Sequence, residues 1–347
     1  MRFEAVTIKD IAKALGFSTS TVSRALRDSH EISSKTKEEV LKYAEQVNYR
    51  PNPIALSLKE RRSRSIGVIV CEIANSFFSQ AINGIESIAY DNGYNVIIAQ
   101  SGESEKREIQ NLQYLTSRSV DGLIISISTE TQDLSFLNEL HLKKMPIVFF
   151  DRIVDEIETH KVIVDNFQGG YDATVHLIKN GYKKIATVCN DKNLSISKDR
   201  LAGYKAALVD NGLEVNESMI KYCDHGGLIM SEVELVMDEL LKLKERPDAI
   251  FAAADKLTTK CLRLLKLKGF SVPKDFGLVG YSNSDLADMI DPSLTVIRQP
   301  AFDMGQEATK LLLQIIESKR GIKEFQTMTL QSELLPRNSS QKMLKEK

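Results

Sequence analysis

Five hydroxyl side chains and one arginine stand close together near the amino terminus, in the stretch GFSTSTVSRAL from residue 16 to residue 26. Ser and Thr are mediocre helix formers because they compete for backbone hydrogen bonds, yet Val22 and Leu26 recur at helical spacing. With these two residues facing a core, the outward residues are Thr19, Ser20, Ser23 and Arg24. Short hydroxyls let a helix enter a DNA major groove and bond to phosphates or base edges, and an arginine pairs bidentately with guanine. The stretch therefore predicts DNA contact, with a capped surface helix as the alternative.

The residues around this stretch have the signals of three short helices. Thr7 and Asp10 form a capping-box sequence that opens the first helix, and Gly16 permits the left-handed turn that ends it. Ser18 is a good N-cap for the second helix, and the third begins near residue 33 or 34. The inward positions are Ile8, Ile11, Ala12 and Leu15 in the first helix and Val40, Leu41, Ala44 and Val47 in the third. This arrangement predicts an all-α helix-turn-helix domain over residues 1–50.

Residues 51–64 are interpreted as a hinge helix and linker between this domain and the rest of the chain. Two prolines end the preceding helix, and Asn52 caps a new helical segment over about residues 53–59. That segment is far shorter than the ~12–15 residues that an isolated helix needs, so we expect it to become helical only on DNA. A leucine beside a lysine on such a helix, Leu58 and Lys59, resembles a minor-groove wedge. A plain interdomain linker is the alternative.

Charge is spread unevenly along the 347 residues of the chain. The net charge is −1, yet residues 1–64 carry thirteen Lys and Arg against eight Asp and Glu, an excess of five positive charges that leaves the remainder at −6. A basic amino-terminal segment, residues 1–64, followed by an acidic remainder indicates that the protein contacts nucleic acid through this segment. A solvated surface is the alternative, which charge by itself does not exclude.

The composition argues against several classes of protein. No apolar run approaches the ~18 residues of a membrane span, and the amino terminus lacks the apolar core and cleavage site of a signal peptide, so we expect a cytoplasmic protein without membrane contact. The four cysteines lie far apart and are expected to be buried thiols. Dinucleotide-binding, Walker and G-x-S-x-G motifs are absent, and the five histidines lack metal-ligand spacing. We therefore expect no catalytic residues, no metal and no cofactor.

From residue 65 onward, short apolar strands alternate with amphipathic helices. A first series contains SIGVIV, YNVIIA, VDGLIIS and MPIVFFD, and a second contains KVIVDN, KKIATVC, PDAIFAAAD and FGLVGYS. Such alternation predicts parallel sheets with helices on both faces, here in two α/β lobes separated by a cleft. Ligands bind beyond the carboxyl ends of the strands in such sheets, so the residues at those ends are the candidates for a binding site.

The residues at the predicted strand ends have side chains suited to a small polar ligand. Aromatic rings stack on sugar or base faces, and carboxylates and amides bond hydroxyl groups. The candidates are Phe77, Phe78, Ser126, Ser128, Asp151, Arg152, Asp165, Asn166, Ala254, Asp255, Ser282 and Asn283. Each also has a structural interpretation: Phe77 and Phe78 as packing at a helix start, Asp165 and Asn166 as a turn and N-cap. An α/β enzyme and a sugar-binding protein of transport type remain alternatives for this part of the chain taken by itself.

The sequences VTIKDIAKALGFSTSTVSRAL and ISSKTKEEVLKYAEQVNYRPNPIALSLK resemble the DNA-binding head and hinge of the LacI/GalR transcription regulators. The resemblance implies a homodimer that reads a pseudo-palindromic double-stranded DNA operator. The family's base-reading positions match Thr19, Ser20 and Arg24, and its hinge positions match Ala55, Leu58 and Lys59. The other candidates for DNA contact are Thr7, Ser18, Thr21, Ser23 and Asn52.

The remainder of the chain resembles the effector domain of the same family, which is similar to periplasmic sugar-binding proteins. The resemblance implies a two-lobed clamshell whose chain crosses three times between the lobes. Phe77 and Phe78 match aromatic effector contacts of the family. Asp151 in VFFDR matches an acidic effector ligand, and Arg200 in DRLAGY matches an arginine that binds effector in many members.

Two departures limit how far the family's ligand specificity transfers to this chain. Many members have Asn-Asp where it has Ala254-Asp255, and a carboxylate where it has Ser282. The expected effector contacts are Phe77, Phe78, Ser128, Asp151, Arg200, Asp255, Ser282 and Asn283. Because a carboxylate beside a guanidinium suits a neutral polyol, we expect a neutral mono- or oligosaccharide, with a nucleoside as the second choice.

Together these patterns predict a sequence-specific DNA-binding regulator, in the first instance a repressor, that a small-molecule effector controls. The predicted effector-binding domain covers residues 65–338. Its first lobe is placed at about residues 65–162 and 295–325 and its second lobe at about 163–294 and 326–338. Residues 339–347 are expected to form a disordered tail without heptads, which favours a dimer over a tetramer.

Overall fold

The computed structural model describes residues 6–49, 62–318, 321–322 and 324–342, and the chain divides into two units between Arg64 and Ser65. The division lies at the predicted end of the hinge and linker. Most of that segment, including Asn52, Ala55, Leu58 and Lys59, lies outside the described residues.

Within residues 6–49 the chain forms α1 (Ile8–Leu15), α2 (Thr19–Ala25) and α3 (Ser34–Gln46). The capping box of Thr7 and Asp10 is present, and α1 ends at Gly16 in the left-handed conformation, with φ of 70°. The buried core residues are Ile11, Ala12, Val22, Ala25, Val40 and Ala44. Leu41, predicted to face inward, is 51% exposed. It lies about 100° around the helix from Val40, which occupies the inner face.

The elements of the second unit follow one another as a regular alternation of strands and helices. In chain order they are β1 (Ser65–Val70), α4 (Ser76–Asp91), β2 (Asn95–Gln100), α5 (Glu105–Ser117), β3 (Gly122–Ile125), α6 (Ser135–Leu142), β4 (Ile147–Phe150), β5 (His160–Val164), α7 (Asn166–Lys179), β6 (Ile185–Cys189), α8 (Ser195–Asp210), β7 (Ile220–Tyr222), α9 (Met230–Lys242), β8 (Ala249–Ala252), α10 (Asp255–Leu267), β9 (Gly277–Tyr281), β10 (Thr295–Arg298), α11 (Ala301–Glu317), β11 (Thr327–Leu330) and β12 (Glu333–Leu335).

These elements build two lobes, each on a sheet of six strands among the described residues. The first sheet has the order β11-β5-β4-β3-β1-β2, and all its neighbours are parallel. The second has the order β12-β10-β9-β8-β6-β7, in which β12 is antiparallel. One face of the first sheet packs on α4 and α11 and the other on α5 and α6, which explains the continuous apolar runs of its central strands. The predicted two-lobed α/β architecture is confirmed.

The chain crosses between the lobes after β5, after β10 and after β11. The predicted lobe boundaries are therefore wrong by a few residues each. KVIVDN, predicted to begin the second series, contains most of β5 (His160–Val164), which belongs to the first sheet. Residues 327–330 also belong to the first sheet, whereas residues 295–298 belong to the second. The reason is that β5 and β11 pair with each other across more than 160 residues of chain, a contact without any local sequence signal.

The structure describes the chain after β12 as far as residue 342, and residues 339–342 are packed on the second lobe, so the prediction of a disordered tail is wrong for these residues. The Ser339 hydroxyl accepts a hydrogen bond from the Thr295 amide at 2.8 Å and donates one to the Leu278 carbonyl at 2.7 Å. Ser340 Oγ lies 2.7 Å from His176 Nε2, and both serines are fully buried. These hydroxyls attach the chain end to the second lobe. Residues 343–347 lie outside the described residues.

The four cysteines are buried free thiols, as predicted. In the part of the chain that the structure describes, no helix is both long enough and apolar enough to cross a membrane. Among the same residues, no group of three or more His, Cys, Asp or Glu side chains is arranged to hold a metal ion.

Candidate ligand cleft and nucleic-acid interface

The outer face of α2 presents the polar residues that the sequence predicts there. Val22 and Ala25 are buried in the core of the first unit, while Thr19, Ser20 and Arg24 are exposed. Within the described chain, no hydrogen bond occupies the side chains of Thr19 and Ser20. Both hydroxyls are therefore available to a nucleic acid.

The remaining hydroxyls of this face have local partners. Ser18 Oγ accepts from the Thr21 amide at 3.1 Å and lies 2.9 Å from the Thr21 hydroxyl, so these two residues cap α2. Ser23 Oγ accepts from Arg27 Nη2 at 2.8 Å. Arg27 is an exposed cation next to the predicted DNA face that the sequence analysis missed, although its position one helical turn after Ser23 could have indicated it.

Arg24 forms an ion pair with Glu31, with 3.1 Å between Arg24 Nη1 and Glu31 Oε2, and both side chains are about half exposed. An exposed pair of this kind contributes about 0–1 kcal/mol. The guanidinium can therefore exchange Glu31 for a guanine edge at little cost in free energy.

In the second unit, the carboxyl ends of the strands of both lobes meet around a cavity of about 60 Å³, here called the inner cavity. Its walls include five of the predicted effector contacts, namely Phe77, Phe78, Asp151, Arg200 and Asp255. They also include Arg152 and Ala254, which were strand-end candidates but not among the expected effector contacts. The strand-end argument missed further polar residues of the wall, among them Asn75, Asn190, His225, Lys256 and Gln299. Lys256 adjoins the predicted Asp255 in sequence, which is the signal that could have found it.

Asp151 follows β4 directly and is held in a conformation that few non-glycine residues adopt, with φ of 60°. Its side chain is buried, and burial raises the pKa of the carboxyl, an effect that the guanidinium groups of Arg152 and Arg200 oppose. Such backbone strain persists where the surrounding structure imposes it and is common at ligand sites.

Arg200 enters the same cavity from α8 in the opposite lobe. Its Nε donates to Asn166 Oδ1 at 2.8 Å, its Nη1 donates to the Ala253 carbonyl at 2.8 Å, and its guanidinium lies 3.6 Å above the Tyr281 ring. Its Nη2 is buried and has no hydrogen-bond partner in the described chain. The arginine is thus fixed in place with one donor left for a ligand.

Ser128, Ser282 and Asn283, three of the predicted contacts, do not line the inner cavity. The Ser128 hydroxyl donates to Glu108 Oε2 at 2.7 Å, and the Ser282 hydroxyl donates to Asp255 Oδ1 at 2.8 Å. Both serines therefore orient carboxylates. Burial raises the pKa of the Asp255 carboxyl, and the bond from Ser282 opposes that shift.

Asn283 connects the lobes. Its Nδ2 donates to Gln80 Oε1 of α4 at 2.8 Å, and Gln80 Nε2 donates back to the Asn283 carbonyl at 3.0 Å. Lys256 and Glu72 make a second connection, with 2.5 Å between Nζ and Oε1. With these contacts formed, the inner cavity is much smaller than the ~300 Å³ of a typical ligand pocket, so the lobes must part for a sugar ring to enter.

A larger compartment of about 520 Å³ adjoins the inner cavity and shares Asp151, Arg152 and Ile196 with it. Ser128 lies in the wall of this outer compartment. The two compartments therefore both border Asp151 and Arg152, and the outer compartment by itself exceeds the size of one sugar ring.

Comparison with known proteins finds matches along nearly the whole chain. Residues 7–52 match a family profile described as bacterial regulatory proteins of the lacI family. Residues 63–334 match one described as periplasmic binding proteins and sugar binding domain of the LacI family.

Two curated relatives illustrate the similarity in sequence. The HTH-type transcriptional repressor PurR of Vibrio campbellii is 32% identical over 337 residues, which are 97% of this chain and 99% of the relative. The ribose operon repressor of Haemophilus influenzae is 32% identical over 336 residues, 96% of this chain and 98% of the relative.

Solved structures are similar in fold. A complex of the transcriptional regulator CelR with cellobiose superposes with a TM-score of 0.72 at 28% identity and covers 96% of this chain and 99% of its own. A LacI family regulator from Enterococcus faecium with bound ribose has a TM-score of 0.68 at 32% identity and covers 79% of this chain and 98% of its own.

Proposed function

Because the chain belongs to the LacI family of bacterial regulatory proteins, we propose that it is a transcription repressor whose binding to operator DNA is controlled by a small molecule held between the two lobes. The observation that carries the proposal is the inner cavity, where Asp151 of the first lobe and Arg200 of the second lobe line one space. A ligand that touches both side chains couples the positions of the lobes, which is the physical requirement for control of one site by another.

We assign base-edge contacts to Thr19, Ser20 and Arg24, because these side chains are exposed on α2. Four other hydroxyl residues cap a helix or have a local hydrogen-bond partner, namely Thr7, Ser18, Thr21 and Ser23. We assign them to positioning the helix on the DNA backbone. Asn52, Ala55, Leu58 and Lys59 keep their assignment to the hinge on the resemblance to the family. Because the proposed partner is operator DNA, we assign the protein to the cytoplasm, and we assign it no catalytic role.

We propose a neutral sugar as the effector. The charged walls of the inner cavity are largely paired, since Arg152 contacts Glu103 and Lys256 contacts Glu72. The charges that remain are those of Arg200, Asp151 and Asp255, so an anionic ligand would add to an excess of negative charge. Hydroxyl groups accept from the unpartnered guanidinium nitrogens and donate to the two carboxylates. Relatives named for ribose and solved with ribose or cellobiose make D-ribose and cellobiose the first ligands to test.

A thermal-shift screen of the full chain with D-ribose, cellobiose and adenosine tests this proposal. A ligand that binds the folded state stabilises it by RT ln(1 + [L]/Kd), about 2.7 kcal/mol at a hundredfold excess over Kd. We expect a sugar to raise the melting temperature of the wild type but not of Asp151→Ala. A shift with adenosine only would replace the sugar by a nucleoside, and an equal sugar shift in Asp151→Ala would place binding elsewhere.

The second lobe exposes an apolar patch that we assign to the homodimer interface. Leu267, Leu286 and Met289 are 69%, 60% and 78% exposed, and Leu262 and Ile290 line an adjoining groove of about 320 Å³ beside α10. An exposed apolar patch of this kind is typical of an association surface.

Met289→Asp is expected to convert the dimer to monomers at micromolar concentration, because it places a charge in an apolar contact. Sedimentation velocity of the full chain measures the change. The matched control is Leu142→Asp, which alters a leucine that is 81% exposed in the first lobe, outside the patch. An unchanged dimer in Met289→Asp, or equal dissociation in both variants, contradicts the assignment.

A further inference from the structure

The guanidinium of Arg152 lies where the carboxyl ends of four neighbouring strands of the first sheet, β1 to β4, come together. Its Nη1 donates to Glu103 Oε2 at 2.6 Å, to the Thr129 hydroxyl at 3.2 Å and to Cys71 Sγ at 3.3 Å. The residue is 7% exposed. A buried guanidinium of this kind requires a carboxylate partner, and the primary partner here is Glu103.

Glu103 is itself held firmly. It follows Gly102, and both residues have left-handed backbones, with φ of 66° and 64°. Its Oε2 also accepts from the Thr129 amide at 2.9 Å and from the Thr129 hydroxyl at 2.8 Å. Burial raises the pKa of the Glu103 carboxyl, but Arg152 and the Thr129 bonds outweigh burial, so the pKa is lowered and the group stays charged.

Asp151 is the competing partner for Arg152. The two residues are adjacent in the chain, yet Asp151 Oδ2 is 4.0 Å from Arg152 Nε, and this Nε has no hydrogen-bond partner among the described residues. Two buried side chains of opposite charge so close together would form a tight pair if nothing else held the guanidinium. Glu108, the other buried carboxylate of this lobe, is occupied by Ser128 and Thr131.

We propose that Glu103 is a positioning residue of the cleft, which holds the Arg152 guanidinium so that the Asp151 carboxylate remains available to a ligand and to Arg200 of the opposite lobe. The ligand part of this statement rests on the proposed function, whereas the competition of Glu103 and Asp151 for Arg152 does not. The competition can therefore be tested without any ligand.

The effect of Asp151 ionisation on the stability of the folded protein is the quantity that reports on this competition. Because burial raises the pKa of this carboxyl above its value in the unfolded chain, the stability it contributes is present at low pH and is lost as the pH rises through the folded-state pKa. Removing the ionisable group then stabilises the protein at neutral pH. The charged groups around Asp151 are Arg152, Glu103 and Arg200, and the others in the cavity wall are Glu72, His225, Asp255 and Lys256.

The experiment compares melting temperatures of the full chain for the wild type, Glu103→Gln, Asp151→Asn and the double variant, at pH 7.5 and pH 4. In the wild-type background, Asp151→Asn is expected to raise the melting temperature at pH 7.5 by roughly 2–4 °C. In the Glu103→Gln background the same substitution is expected to lower it by a similar amount, because Arg152 then loses its last close carboxylate. At pH 4 the difference between backgrounds is expected to shrink, because the Asp151 carboxyl, whose pKa burial raises, is protonated to a larger extent there than at pH 7.5.

Three further variants keep the test decisive. Glu105→Gln removes a carboxylate that accepts from the Asp133 amide instead of Arg152, and it should leave the effect of Asp151→Asn unchanged. Glu103→Asp keeps the charge and should restore the wild-type sign. If Glu103→Gln does not fold, Thr129→Ala replaces it, because it removes the hydroxyl that bonds to both Glu103 and Arg152. An effect of Asp151→Asn that is the same in both backgrounds overturns the proposal. Failure of the sugar screen leaves these temperatures untouched, so the two failures are distinguishable.

Discussion

Arg200→Ala is expected to weaken binding of the effector sugar about 10- to 150-fold, corresponding to about 1.5–3 kcal/mol for a lost hydrogen bond from a charged group. The effector response should then disappear at sugar concentrations that saturate the wild type. Operator affinity without sugar should stay nearly unchanged, because Arg200 lies in the lobed unit and not in residues 6–49. Isothermal titration with the sugar found in the screen, together with an operator titration, measures both quantities.

Two variants control for folding in this experiment. Arg200→Ala leaves Asn166 Oδ1 and the Ala253 carbonyl without their donor, so some loss of stability is expected. Arg200→Lys keeps the charge but cannot reproduce the two-nitrogen contact, and it should also weaken the sugar. Lys205→Ala removes a cation of the same helix that pairs with Glu217 and lines neither compartment, so it should leave sugar binding unchanged. A wild-type response in both Arg200 variants would show that the effector binds outside the inner cavity.

Arg24→Ala is expected to reduce affinity for the specific operator by about 1–3 kcal/mol per half-site, the value of a bidentate arginine–guanine contact. Affinity for random DNA should fall much less, because that binding depends on phosphate contacts. Fluorescence anisotropy with operator and random duplexes at one salt concentration gives the ratio. Lys42→Ala, an exposed cation on α3, is the matched control and should preserve the ratio. Equal losses on both duplexes would place Arg24 on the phosphate backbone instead.

The helix-turn-helix unit was predictable because its signals are local. The Thr7 capping box, the left-handed Gly16 and the Ser18 cap each act within four residues, and all are found in the structure. Leu41 was misplaced because an apolar residue next to an inward one reads as part of the same stripe. The helical repeat of 3.6 residues per turn separates neighbouring residues by about 100° around the axis. Because Val40 faces the core, Leu41 therefore points toward solvent.

The lobes and the site show where local reasoning ends. The lobe to which β5 belongs depends on its pairing with β4 and β11, which no pattern within KVIVDN reveals. Ser282 does lie at a strand end, but its hydroxyl donates a hydrogen bond to Asp255. The side-chain amide of Asn283 donates one to Gln80 of the other lobe. A position at a strand end thus identifies a residue as a candidate for ligand contact. Whether its side chain faces the cavity depends on hydrogen-bond partners that are distant in sequence.

The most direct test of control by a ligand between the lobes is one titration. An operator selected from a random duplex pool by the full chain is titrated with protein, with and without a saturating amount of the sugar that shifts the melting temperature. We expect operator affinity to change at least about tenfold, a coupling of about 1.4 kcal/mol or more, and the change to vanish in Arg200→Ala. A sugar that binds in the inner cavity and leaves operator affinity unchanged would contradict the account.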